Sequence, residues 1–99
     1  MTEYFAGAGG TSQGAAVVPG LRHVLAANHS RVAMSTHAAN LPEVEHDVAD
    51  LSQVPPRRYR RTEILWASPE CTWQPGAAGR PRDDRPQPAV RWCGRAGRV

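Results

Sequence analysis

Four short strand candidates, each closed by a turn, alternate with polar or helix-forming stretches along this chain. That alternation constrains the fold more than any other feature. They cover residues 3–6, 22–27, 44–50 and 62–68. After the first, "GAGGTSQG" makes a turn, and Thr11 or Ser12 is placed to cap a helix from Gln13 to Val18 through a side-chain oxygen. Pro19-Gly20 stops that helix. Ser30 caps a second helix, in which Met34, Ala38 and Leu41 fall on one face, and Pro42 ends it. Strand, helix, strand, helix, strand, loop, strand predicts an α/β fold with a parallel sheet.

The totals allow one small domain of 99 residues. The net charge of +3 conceals a division. Residues 1–74 hold six Arg against seven Asp and Glu, whereas residues 75–99 hold six Arg against two Asp. The basic character therefore belongs to the tail, and it does not argue for nucleic-acid binding by the folded part. That tail also carries four Pro and four Gly with little apolar periodicity, a composition expected to be disordered. The division predicts a domain over 1–74 and a tail over 75–99. Two cysteines, Cys71 and Cys93, form neither a disulfide framework nor a metal-ligand spacing. The start lacks the basic and apolar regions of a signal peptide, and no run reaches the roughly 20 apolar residues of a membrane span. A cytoplasmic location without membrane association is expected.

Gly7, Gly9, Gly10 and Gly14 crowd the turn after the first strand. Glycine reaches positive φ without a Cβ clash and lets a ligand approach the backbone closely. The spacing departs from the GxGxxG of dinucleotide sites, and no Gly-Lys-Ser/Thr follows for a P-loop. Ligands of open α/β sheets bind at the carboxyl ends of the strands, where the strand order reverses. If the first and fourth strands are neighbours, the glycine turn and the loop carrying Cys71 share one crevice. Asp50, ending the third strand, is placed to accept hydrogen bonds there.

Three segments, in order and spacing, resemble the DNA cytosine-5 methyltransferase family. "FAGAGGTSQG" resembles its first motif, which binds S-adenosylmethionine. "DLSQV" (residues 50–54) resembles the segment contacting the cofactor adenine. "SPEC" (residues 68–71) resembles the loop bearing the catalytic cysteine. The resemblance spans residues 3–72. It implies a Rossmann-like S-adenosylmethionine-dependent methyltransferase fold with a truncated parallel sheet in the order 3-2-1-4, and DNA as partner. It further implies that Phe5, Gly7, Gly9 and Gly10 line the cofactor, that Asp50 and Leu51 meet its adenine end, and that Cys71 is the nucleophile. Members usually carry an acidic residue after the second strand for the ribose hydroxyls. Here Asn28 and His29 stand in its place. Glu70 precedes the cysteine where proline is usual. The family's later Glu-Asn-Val and Arg-x-Arg motifs and its target-recognition domain have no match, so the resemblance implies an N-terminal fragment, inactive by itself. Two other classes stay open: a non-catalytic remnant that at most binds S-adenosylmethionine or a partner, and a nucleotide-binding module.

Other residues carry plainer expectations. His23, His29, His37 and His46 share no metal spacing. Arg57 to Arg61 form a solvated face, Trp66 lies in the core, and Trp73 is a candidate for stacking on a base.

Overall fold

The computed structural model describes residues 1–69. The expectations for Glu70, Cys71, Trp73 and the tail lie outside the described residues. The elements run β1 (Thr2–Tyr4), α1 (Gly10–Ala16), β2 (Leu25–Asn28), α2 (Arg31–Asn40), β3 (Glu45–Val48), a 3-10 turn (Pro56–Arg58) and β4 (Leu65–Ala67). The four strands form one sheet in the order β3-β2-β1-β4. Every pairing is parallel, with Glu3 level with Ala26 and Trp66, and Ala26 level with His46. The result is a small α/β domain consistent with a Rossmann-like fold.

Strand alternation sends two sets of side chains to opposite faces. Tyr4, Leu25 and Ala27 pack with Leu51 on one face, joined by Val24, Tyr59 and Leu65. The segment after β3 closes this face. Leu51 reaches into the core, and Tyr59 stacks on Tyr4 with ring centroids 5.4 Å apart. The Tyr59 hydroxyl donates to Asp47 Oδ2 at 2.8 Å, and Arg58 pairs with the same carboxylate at 3.1 Å. Burial first, and then the neighbouring Asp47 carboxylate, push the Tyr59 phenol well above its ordinary pKa. On the other face Ala6, Ala26, Met34, Leu41 and Val44 form the helix-side core.

Local chemistry explains the helix ends. Ser30 is the N-cap of α2, and its Oγ accepts from the Ala33 amide at 3.2 Å. Such a cap contributes about 1 kcal/mol. The expected inward face of α2 gains one member: Met34 and Leu41 are buried, and so is His37. α1 departs from expectation. Its N-cap is Gly9 in a left-handed conformation, with no side-chain cap, and the helix begins at Gly10. Ser12 cannot serve as the cap because its hydroxyl turns inward to Glu3. Trp66 is also corrected: it is 50 % exposed. α2 lies over β2 and β3, while β4 is at the far edge of the sheet. No helix among the described residues is long and apolar enough to cross a membrane.

Candidate cofactor site and a buried polar cluster

Because all four strands are parallel, their carboxyl ends share one edge of the sheet. The chain runs from β1 to β2 to β3 in one direction and then places β4 on the other side of β1. The order therefore reverses between β1 and β4, which is where open α/β sheets offer a crevice. The glycine turn leaves β1 at this point. The Ser68 amide donates to the Tyr4 carbonyl at 3.2 Å, so Ser68 and Pro69 leave β4 beside it.

The turn is conformationally demanding. Phe5 has φ +60, the one positive φ at a residue other than glycine among the described residues. An aromatic residue there is strained, by about 1–3 kcal/mol, and such strain concentrates at ligand clamps. Gly9 follows at φ +116, which explains why that position is glycine. Gly7 and Gly10 have no positive φ, and a Cβ built on either meets nothing within 4 Å. Their smallness leaves open space beside the backbone.

Two side chains pin this turn. Asn28, ending β2, donates through Nδ2 to the Ala6 carbonyl at 2.7 Å and accepts the Ser30 amide on Oδ1 at 3.0 Å. The residue expected at the ribose thus anchors the glycine turn, with one amide hydrogen and one lone pair in reserve. Asn40, unnoticed in the sequence, donates to the Ala8 carbonyl at 3.2 Å. His29 is exposed next to Asn28. Asp50 is exposed after β3, its Oδ1 accepting the Ser52 amide at 3.0 Å and the Ser52 hydroxyl at 2.7 Å. Those bonds hold its carboxyl below the usual carboxylate range. The Leu51 side chain belongs to the core rather than to the crevice surface. Phe5 is half-buried against the same core.

A second cluster lies beneath the sheet, between β1 and the helices. Glu3, Ser12 and His37 are all buried. Ser12 Oγ donates to Glu3 Oε2 at 2.5 Å and lies 2.8 Å from His37 Nε2. His37 Nδ1 stands 2.8 Å from His46 Nε2. His23 sets its ring edge-on to His37, with centroids 5.8 Å apart. Burial, followed by the neighbouring His46, lowers the His37 pKa, and burial lowers that of His46. Sequence spacing does not join these residues into one group. Its members come from β1, α1, the segment before β2, α2 and β3, and only the parallel register gathers them.

A cleft of about 460 Å³ is lined by Arg22, His23, Val24, Glu43, Glu45 and Arg60. Arg22 to Val24 precede β2 and Glu43 precedes β3, so the cleft opens at the amino ends of the strands, away from the glycine turn. Comparison with known proteins found no matching family model, curated protein or solved structure.

Proposed function

We propose that this chain is the S-adenosylmethionine-binding part of a DNA cytosine-5 methyltransferase. The observation that carries the reading is the strained Phe5–Gly9 turn at the carboxyl end of β1, beside the Ser68-Pro69 exit from β4, with Asp50 following β3 at the same edge of the sheet. These are the segments whose sequences resemble the family's cofactor and catalytic motifs. Gly7 and Gly10 leave room for the cofactor, Asn28 and His29 face its ribose, and Asp50 its adenine.

The proposed chemistry assigns Cys71 the nucleophilic role. Cytosine C5 is a poor nucleophile. A thiolate adding at C6 opens the 5,6 double bond and delivers its electron pair to C5. C5 then takes the methyl group from the sulfonium, whose S–CH3 bond breaks to leave S-adenosylhomocysteine. Loss of the C5 proton and expulsion of the thiolate restore the base. Cysteine suits the step because it supplies thiolate near neutral pH. The target base has to leave the duplex first. In the family resembled, the acid for ring N3 comes from a later motif that this chain does not match. Such an acid contributes roughly a hundredfold to ten-thousandfold. Cofactor binding, rather than methyl transfer, is the activity expected of this chain.

Amide NMR of the labelled chain tests the placement. Adding S-adenosylhomocysteine should shift Gly7, Gly9, Gly10 and Asp50 while sparing Arg22 and Glu45 in the cleft at the opposite edge. Shifts confined to that cleft would overturn the reading.

A further inference from the structure

We propose that Glu3, His23 and His37 form a binding site for one divalent transition-metal ion of the zinc class. One ligand atom from each residue lies within 4.8 Å of the others. His37 Nε2 and Glu3 Oε2 are already 3.9 Å apart. Tetrahedral bonds of about 2.1 Å would bring donor atoms to about 3.4 Å from one another, so side-chain rotation alone closes the set. The proposal is independent of the cofactor reading, because the cluster lies under the sheet and not at its carboxyl edge.

The histidines are prepared for ligation by what their other nitrogens do. His23 Nε2 lies 2.9 Å from the Leu25 carbonyl, a contact that requires its proton there. The lone pair is then on Nδ1, and this atom is the buried side-chain nitrogen or oxygen without a hydrogen-bond partner among the described residues. A buried polar atom left unpaired costs about 1–3 kcal/mol, and an ion would remove that cost. His37 Nε2–H donates to Ser12 Oγ in the metal-free state, because the Ser12 hydrogen already goes to Glu3; moving that proton to Nδ1, where His46 Nε2 can accept it, turns the Nε2 lone pair toward an ion. A second nitrogen held by a carbonyl or another side chain is how proteins orient metal-ligating histidines.

Without an ion, Ser12 Oγ bridges Glu3 and His37. The ion takes over that bridging position, and a hydroxyl or water oxygen completes four-coordination. Two imidazoles and a carboxylate suit zinc-class ions, whereas calcium and magnesium demand all-oxygen shells. The cleft that His23 lines, with the Glu43 and Glu45 carboxylates beside it, gives a cation its route inward. Bound there, the ion ties β1 and α2 to the segment entering β2.

The test uses the full chain with Cys71→Ser and Cys93→Ser to remove thiol ligands, stripped of metal with a chelator. Titration with Zn2+ should saturate at one ion per chain and raise the Tm, and Co2+ should develop the visible bands of a four-coordinate site. His23→Gln, at a half-buried position, should abolish saturable binding with the fold intact by circular dichroism. His46→Gln should weaken binding by about tenfold to a hundredfold through lost orientation of His37. His29→Gln should leave metal binding unchanged. With all histidines in place, Co2+ should broaden the ring resonances of His23 and His37 and spare His29. Absence of binding, equal binding by His23→Gln, or broadening centred on His29 would each overturn the site.

Discussion

Gly9→Ala should destabilise the chain by about 1–3 kcal/mol and weaken S-adenosylhomocysteine binding at least tenfold, about 1.4 kcal/mol. The cost is conformational rather than steric. A Cβ at Gly9 would sit 3.6 Å from Leu41 Cδ1 and 3.7 Å from His37 Cδ2, ordinary contacts, but φ +116 is a region L side chains rarely adopt. Relieving the strain means moving the turn that Asn28 and Asn40 hold in place. Gly7→Ala separates binding from folding. Its Cβ meets nothing within 4 Å, so stability should change by no more than about 0.5 kcal/mol. The methyl group would enter the space assigned to the cofactor, so affinity should still fall. Chemical denaturation and titration of both variants check the pair; unchanged affinity in Gly7→Ala would remove the cofactor from that space.

The second large effect belongs to Ser12. In metal-free protein, Ser12→Ala should cost about 1–3 kcal/mol, because it strips Glu3 of its hydroxyl donor and leaves a buried carboxylate uncompensated. Glu3→Leu combined with Ser12→Ala should recover part of that loss, since no buried carboxylate is left behind although His37 Nε2 still loses its hydroxyl partner. Denaturation midpoints across the double-mutant cycle give the coupling. Additive losses would show that Glu3 and Ser12 act separately.

The contrast between these sites shows what the sequence could reveal. The order of elements was legible because apolar runs and turn residues report local structure. The strand order followed from alternation together with the resemblance, and residues 2–67 adopt it. Boundaries slipped where tertiary contacts prevailed. Residues 22–24 read as strand, yet His23 faces the polar cluster and β2 starts at Leu25. Thr11 and Ser12 read as caps, yet Glu3 claims the serine. The glycine turn announced itself through composition, and Phe5 did not, because strain at an aromatic residue has no signature in a single sequence. Trp66 misleads because an apolar residue in a strand reads as core, although β4 lies at the sheet edge. The polar cluster left a faint trace: His37 lies three residues after Met34 on the inward face of α2, and Glu3 is a charged residue buried in β1 between Thr2 and Tyr4. Neither spacing alone joins residues that are 34 positions apart in sequence.

The edge holding the glycine turn should bind S-adenosylmethionine chemistry in preference to other nucleotides. Calorimetric titration of the folded chain with S-adenosylhomocysteine and with NAD, side by side, tests it most directly. Saturable heat at one S-adenosylhomocysteine per chain, and none with NAD, is the expected result. The affinity should be weaker than micromolar, because replacing the ribose carboxylate by Asn28 and His29 loses about 1.5–3 kcal/mol of charge-assisted bonding. Saturable heat with NAD, or no heat with S-adenosylhomocysteine from a chain shown to be folded, would contradict it.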